Sequence, residues 1–240
     1  MSTVNAGWRG PNIVKEGLVL YLDAASGTSY SPYNSGTTWR DISGNNNNGT
    51  LTNGPVYNTT NGGSFVFDGV DDYVSLSNSS SLTQAGSTEF TVELWARKAQ
   101  SDKDLLIGAQ DQAVLKGWFL QWYSDGIVYF GVRNGGSNNY NRVSLSYTSN
   151  FVNLVGVFDG SQSTDATKNK IYINGTQQTL ITTPQLSSVP TNLVQLTIGR
   201  VVNFNGFTTA NISVTKIYNR ALSAEEVLQN YNSIKGRFGL

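Results

Sequence analysis

Apolar and polar positions alternate through much of this 240-residue chain. The clearest case is segment 90–97, where Phe90, Val92, Leu94 and Ala96 fall on one side of an extended strand. About a dozen short segments of this kind are separated by turn-forming residues, as is typical of a sandwich. The pattern predicts an all-β fold in which two antiparallel sheets pack face to face around a common core.

Turn residues predict how several of these strands connect. Asn174-Gly175 follows a strand at 170–173 and is a strong signal for a tight hairpin. The aromatic-rich segments 118–123 and 127–132 form a predicted central hairpin, in which Trp118, Leu120 and Trp122 face the core. Segments 64–67 and 73–76 predict a further hairpin, whose turn contains Asp68, Asp71 and Asp72.

One short C-terminal helix follows the last strand. Ser223 and Glu226 have the spacing of a capping box, in which each side chain bonds the other residue's backbone N–H. Gly236 is placed to end the helix. The apolar residues at helical spacing are Val227, Leu228, Tyr231 and Ile234.

Composition excludes several classes of chemistry. Lys and Arg together number 16, as do Asp and Glu, so no long-range field favours nucleic acid. The absence of Cys and His removes disulfides, thiol nucleophiles and Ser-His catalysis. Any metal would be a hard cation held by oxygen atoms, and any catalysis would rest on carboxylates, Lys, Tyr or a cofactor.

The ends of the chain predict a simple organisation: an N-terminal arm at 1–15, one domain at 16–235 and a tail at 236–240. The first eleven residues lack the apolar core of a signal peptide, and no stretch is long enough to span a bilayer. We therefore expect neither membrane insertion nor ordinary export. In the tail, Phe238 and Leu240 predict either a docking peptide or a segment folded back on the sandwich.

A series of motifs runs from about Gly17 to Tyr231. Its segments are Gly17–Asp23, Trp39–Leu51 with D-x-S-G-N near its start, Phe67–Val74 with F-D-G-V-D-D-Y-V, Phe90–Trp95, Ile171–Gly175 with Y-I-N-G, Ile198–Arg200, Phe204–Gly206 and Ile217–Glu226. In this order the motifs resemble the laminin-G-like branch of the concanavalin A-like lectin/glucanase jelly rolls. The resemblance implies a jelly-roll sandwich of two antiparallel sheets with one short C-terminal helix.

Other stretches, at Leu22–Ala24, Gly49–Pro55, Asn230–Asn232 and Lys235–Leu240, resemble laminin-G-like proteins of tailed bacteriophage virions. This resemblance implies a non-enzymatic virion surface protein, made in the host cytoplasm, that decorates the capsid or accompanies a fibre or tail. Its expected partners are other virion proteins, further copies of itself and a cell-surface glycan. The alternatives are a decoration protein without a ligand, a glucanase-like enzyme and a bacterial adhesion domain.

Oxygen-rich loops suggest where a cation would bind. Asp41, Ser43, Asn45 and Asn47 present side-chain oxygens at alternate positions, as suits Ca²⁺, and the resemblance implies calcium near this loop. Asp68, with Asp71 and Asp72 close in sequence, is a further candidate ligand. In both places the alternative is a turn in which Asp and Asn side chains accept backbone N–H groups.

Exposed aromatic residues predict a glycan site. Alternation leaves Tyr123, Tyr129, Tyr140 and Tyr147 outside the core, and a Gly-rich loop would carry the hydrogen-bonding residues Arg133, Asn134 and Asn138. Glu89 and Glu93 share a strand face, but the acidic run of the glucanase branch is incomplete, so we expect exposed polar positions and no enzyme.

Overall fold

Extended backbone carries the fold in this computed structural model, which describes residues 11–32, 36–98, 105–123, 125–136, 139–203 and 206–240. The predicted alternation produces strands, the longest of which has 12 residues. In chain order they are β1 (Leu18–Asp23), β2 (Thr38–Trp39), β3 (Gly49–Thr52), β4 (Val56–Asn58), β5 (Ser64–Asp68), β6 (Tyr73–Ser75), β7 (Glu89–Lys98), β8 (Leu105–Asp111), β9 (Lys116–Tyr123), β10 (Ile127–Asn134), β11 (Tyr140–Ser144), β12 (Thr148–Asp159), β13 (Asn169–Ile173), β14 (Thr176–Gln177), β15 (Thr197–Ile198) and β16 (Thr209–Tyr218).

The strands form two antiparallel sheets. Sheet I has the order β14-β13-β12-β7-β16-β5-β4. β1 and β5 pair with the same side of β16: β5 with its first half, residues 209–212, and β1 with its second half, residues 214–218. Sheet II has the order β11-β10-β9-β8-β15-β6-β3-β2. The two layers confirm the predicted all-β, jelly-roll-like sandwich.

Helical segments are short in the described part of the chain. α1 (Ser80–Thr83) and α2 (Asp165–Lys168) are single turns, and α3 (Ala224–Ile234) is the one predicted from sequence. Two 3₁₀ turns complete the set, at Thr60–Gly62 and Lys235–Phe238. None of the helices among the described residues is long and apolar enough to cross a membrane.

α3 confirms the capping box and corrects two details. Ser223 Oγ accepts the Glu226 N–H, and a Glu226 carboxylate oxygen accepts the Ser223 N–H at 2.9 Å. Leu228, one of the apolar residues at helical spacing, is 45% exposed, whereas Asn230 is fully buried and donates a hydrogen bond to Glu93 of sheet I. The helix ends at Ile234, and the 3₁₀ turn continues the chain through Gly236.

The core lies between the sheets. Phe90, Val92, Leu94 and Ala96 of β7 face it from sheet I, and Trp118, Leu120 and Trp122 of β9 face it from sheet II, as predicted. The rings of Phe90 and Trp118 meet across the layers with centroids 5.0 Å apart.

The predicted hairpin at 64–76 is wrong. β5 belongs to sheet I and β6 to sheet II, so residues 69–72 cross from one layer to the other. The inward side chains Phe67 and Val74 are both fully buried in the common core, one from each layer. Turn residues signal a change of direction, but they do not determine whether the next strand stays in the same sheet.

The Asn174-Gly175 hairpin is confirmed. Both residues have positive φ, 50° and 75°, as a type I′ turn requires, and β13 pairs with β14 across it.

The outer face of sheet I is covered as well. Val14, which the sequence placed in an arm, packs here with Tyr218 and Val227, and its N–H donates to Asn230 Oδ1 at 2.9 Å. Phe238 is buried against Trp95, with ring centroids 4.3 Å apart, so this part of the tail folds back, while Leu240 at its end is exposed.

Candidate functional site

The outer face of sheet II carries the aromatic residues that the core does not use. On β9, the inward positions of Trp118 and Trp122 leave Phe119, Gln121 and Tyr123 on the opposite side. On β10, Tyr129, Gly131 and Arg133 have the matching outward positions, because Tyr129 pairs with Gln121 and Gly131 with Phe119. β11 adds Tyr140 opposite Gly131 and Arg142 opposite Tyr129.

Three of these residues form a tyrosine ladder, which consists of Tyr123, Tyr129 and Tyr140. The ring centroids of Tyr123 and Tyr129 are 5.8 Å apart, and those of Tyr129 and Tyr140 are 5.2 Å apart, with interplanar angles of 78° and 81°. These edge-to-face contacts are a favourable arrangement of aromatic quadrupoles. The structure therefore brings together three tyrosines that the sequence proposed separately as ligand-binding residues.

Gly131 is what allows Tyr140 to join the ladder. A Cβ atom at Gly131 would lie 2.2 Å from the backbone oxygen of Asn139 and 2.7 Å from Tyr140 Cβ. The strand partner thus occupies the space that a side chain at 131 would need.

Accessibility changes along the ladder. Tyr123 is 46% exposed, Tyr129 and Tyr140 are half-buried, and Phe119 lies fully buried beneath them with Val201. Tyr129 Oη donates to Asp125 Oδ2 at 2.9 Å. Burial raises the pKa of Tyr129, and this hydrogen bond adds to the rise, so the phenol is neutral and fixed in orientation at neutral pH.

Two arginines accompany the ladder. The Arg133 guanidinium carbon lies 4.6 Å from the ring centroid of Phe119 and 5.5 Å from that of Tyr140. Burial lowers the pKa of Arg133. The Nε atoms of Arg133 and Arg142 are buried and have no hydrogen-bond partner within the described structure.

Other predicted binding residues lie elsewhere. Arg133 and Asn134 end β10 instead of lying in a loop, and Asn134, opposite Lys116, falls on the alternate side of the strand. Tyr147 stacks on the core residue Trp122 and donates to the backbone oxygen of Tyr123, so it supports the hairpin. Asn138 lies outside the described residues. Phe119 and Arg142 were missed, although alternation within β9 and β11 would have found both.

The Asp41 loop uses its carboxylate internally. Asp41 Oδ1 accepts the N–H groups of Tyr21 and Ser43, both at 2.9 Å, and Oδ2 accepts Asn47 N–H at 2.9 Å and Ser43 Oγ at 2.8 Å. Asn45 Nδ2 donates to Leu18 O at 3.0 Å. This arrangement fits the turn interpretation and does not fit a cation, because protein donors already surround both carboxylate oxygens.

Asp68 does not reach that loop. It pairs with Thr209, whereas Tyr21, the hydrogen-bond partner of Asp41, pairs with Lys216, seven residues or roughly 23 Å farther along β16. Asp41, Ser43, Asn45 and Asp68 therefore do not form one site.

Asp68 instead lies with Asp71 and Asp72, their carboxylates within 4.8 Å of one another. Burial raises the pKa of Asp72, and the neighbouring carboxylates add to the rise. Asp68 Oδ1 accepts Val70 N–H at 2.8 Å and Asp72 Oδ2 accepts Asp68 N–H at 3.1 Å, so both aspartates serve the crossing between the sheets.

The glutamates of β7 differ in environment. Glu89 is exposed and accepts Ala221 N–H at 3.2 Å, whereas Glu93 is fully buried and pairs with Lys216. The expectation of two exposed polar positions is wrong for Glu93, because α3 and the segment after it cover this face of sheet I.

Comparison with known proteins agrees with the fold. The Laminin_G_3 family model, described as the concanavalin A-like lectin/glucanases superfamily, matches residues 68–228. A search of curated proteins returned no match.

Solved structures with the same fold include three at low sequence identity. The binding domain of Paraclostridial Mosquitocidal Protein 1 has a TM-score of 0.65 at 17% identity, over 91% of this chain and 52% of that one. A botulinum neurotoxin type C structure, from work on cell entry that depends on two ganglioside molecules, has a TM-score of 0.66 at 15% identity, over 92% of this chain and 52% of that one. Trypanosoma rangeli sialidase in complex with sialic acid has a TM-score of 0.63 at 14% identity, over 92% of this chain and 33% of that one. This chain thus spans a third to about half of their lengths.

Proposed function

The chain belongs to the concanavalin A-like lectin/glucanases superfamily, and from that premise we propose that it binds glycans on the tyrosine ladder and does not act as an enzyme. The observation that carries this proposal is the ladder itself, in which Tyr123, Tyr129 and Tyr140 line one outer face of the sandwich. Toxin binding domains and a sialidase with the same fold give the proposal context.

The chemistry of the ladder suits a sugar. The apolar C–H faces of a sugar ring stack on aromatic rings, while its hydroxyls need hydrogen-bond partners at the edges. Tyr123 offers an exposed ring for stacking. Tyr129 lies next to it, and the Arg133 guanidinium lies beside Tyr140 at the other end of the ladder, so both polar groups are placed to hydrogen-bond sugar hydroxyls. Mutual packing holds the rings, so little side-chain freedom is lost when a ligand binds.

The non-enzymatic part of the proposal is supported by Glu93. Hydrolysis by paired carboxylates needs two acids that flank a bound substrate. Glu93 has no exposed surface and lies 2.9 Å from Lys216 Nζ, which leaves Glu89 as the accessible glutamate of that strand. Purified protein should therefore release no reducing ends from β-glucans.

A virion location is the second part of the proposal. It is supported by the resemblance of segments 22–24, 49–55, 230–232 and 235–240 to tailed-phage virion proteins. In this role the chain would decorate a capsid, or accompany a tail, as an oligomer that follows the symmetry of the particle. Mass spectrometry of purified particles tests the location, and cryo-electron microscopy of an intact particle would show which surface attaches.

A glycan screen with one matched pair of variants tests the binding surface. Tyr123→Ala should lose most binding on an immobilised glycan set, because it removes the most exposed ring of the ladder. Leu228→Ala is the control, since Leu228 is exposed to the same degree, 45% against 46%, but lies on α3 over sheet I.

Equal loss in both variants would contradict the ladder as the binding surface. If the folded wild-type protein binds no glycan of the set, glycan binding is contradicted and the remaining alternative is a decoration protein without a ligand.

A further inference from the structure

Arg133 and Arg142 lie on neighbouring strands, on the same outer face as the tyrosine ladder. Arg142 is directly opposite Tyr129, and Arg133 lies two residues beyond Gly131, the residue opposite Tyr140. Four residues of β10 separate the two arginine positions, which is about 13 Å along the strand. The arginines therefore bracket the half-buried part of the ladder.

Among the described residues, Arg133 and Arg142 differ from the four cations that form ion pairs. Lys168, Lys216, Arg220 and Arg237 each pair with an Asp or Glu side chain. Within the described residues, neither Arg133 nor Arg142 has such a partner. Asp125, the nearby acid, accepts hydrogen bonds from Tyr129 Oη and Ile127 N–H instead.

Both guanidinium groups retain hydrogen-bonding capacity. Each has a buried Nε without an acceptor, and a buried donor left unpaired destabilises the folded state. The lowered pKa of Arg133 follows from burial in the absence of a neighbouring carboxylate. An anion bound over this face would supply the missing countercharge, and a planar guanidinium matches carboxylate and sulfate geometry.

We propose that the ladder selects acidic glycans, whose carboxylate or sulfate group binds Arg133 and Arg142 while a sugar ring stacks on the tyrosines. This inference rests on the proposed glycan-binding function and adds the chemical class of ligand. Stacking of Arg133 on Phe119 and Tyr140 fixes the guanidinium before the ligand arrives.

Three matched probes test it: lactose, 3′-sulfolactose and 3′-sialyllactose, with dissociation constants measured by calorimetry at low and high salt. At low salt we expect the acidic sugars to bind about tenfold or more tightly than lactose, and the preference to shrink as salt screens the charges. The sulfate and carboxylate arms show which anion the site prefers.

The arginine variants separate recognition from support. Arg133→Gln and Arg142→Gln should each lower affinity for the acidic sugars about tenfold and change that for lactose little. Arg97→Gln is the matched control, because Arg97 also stacks on an aromatic ring, Phe151 at 5.4 Å, but belongs to sheet I. If a Gln variant does not fold, the Lys variant at that position and the salt dependence of the wild-type protein test the inference instead. The Lys variant retains a cation, so it should keep part of the preference for acidic sugars over lactose.

Several outcomes would overturn the inference. Equal affinity for lactose and its acidic derivatives would contradict selection of acidic glycans and leave glycan binding intact. So would Gln variants that lose lactose binding and acidic-sugar binding to the same extent. Failure of all three probes also removes the inference, and the proposed function falls with it only if the wider glycan set fails too.

Discussion

Lys216 Nζ lies 2.9 Å from Glu93 Oε1 on the outer face of sheet I, and neither side chain has any exposed surface. The two residues are register partners on β16 and β7. Asn230 of α3 donates to Glu93 Oε2 at 2.9 Å, and Asn153 of β12 donates to Oε1 at 3.2 Å. One carboxylate thus links three strands and the C-terminal helix.

Glu93→Gln should be strongly destabilising. The substitution leaves the Lys216 ammonium buried without a countercharge, which typically costs about 3–5 kcal/mol in the free energy of unfolding. Urea denaturation followed by circular dichroism measures this change.

Glu89→Gln is the control for Glu93→Gln, because Glu89 is exposed at the start of the same strand; we expect a change within about 0.5 kcal/mol. A loss below about 1 kcal/mol for Glu93→Gln would show that the buried Lys216 ammonium does not depend on Glu93 for its countercharge.

Gly131→Ala should distort the tyrosine ladder. Its new Cβ would overlap the backbone oxygen of Asn139, which would push β11 away from β10 at an expected cost of about 1–3 kcal/mol. Thermal melting measures the stability, and the intrinsic glycan affinity should fall with it.

Gly27→Ala is the matched control for Gly131→Ala, because a Cβ at Gly27 has no heavy atom within 4 Å. If Gly131→Ala melts like the wild type and binds glycan equally well, close approach at Gly131 does not shape the surface.

Glu226 predicts a dependence of stability on acid pH. Hydrogen bonds from Arg220, at 2.6 and 2.8 Å, lower the pKa of Glu226. A carboxyl group with a lowered folded-state pKa stabilises the protein above its unfolded-state pKa, about 4.3. That contribution is lost as the pH falls through the lower folded-state value.

Glu226→Gln should therefore flatten the curve of unfolding free energy against pH below about 4.3, with a smaller effect in high salt. Denaturation at a series of pH values is the measurement. An unchanged slope in this region would mean that Arg220 does not stabilise the charged form of Glu226.

Asp41→Asn should destabilise the protein equally with and without calcium. Asn retains one acceptor oxygen where Asp41 accepts four hydrogen bonds, so we expect a loss of about 1–3 kcal/mol. Thermal melting with millimolar Ca²⁺ and with a chelator gives the comparison. A calcium-dependent rise in the wild-type melting temperature that Asp41→Asn abolishes would contradict the turn interpretation, since a native-state ligand stabilises by mass action.

Local periodicity predicted the parts of the fold that depend on neighbouring residues. Alternation placed Phe90 and Trp118 in the core, and the spacing of Ser223 and Glu226 located the start of α3. What lies over the outer face of a strand depends on distant segments. That is why Glu93 was wrongly expected to be exposed: α3, through Asn230, covers it.

The candidate site follows the same division. Alternation was enough to propose Tyr123 and Tyr129 as outward rings, and register then brought Tyr140 beside them. Whether Arg133 and Arg142 find a carboxylate partner among the described residues depends on which strands become neighbours. Sequence spacing alone does not contain that information.

Val14 and Phe238 are both fixed against the outer side of sheet I, whereas the tyrosine ladder lies on the outer side of sheet II. The segments around Val14 and Phe238 therefore lie on one side of the sandwich, and the rings proposed to bind glycan lie on the other, with the full thickness of the sandwich between them. A carrier attached directly next to Val14 or Phe238 would leave the opposite face, with its tyrosine rings, uncovered.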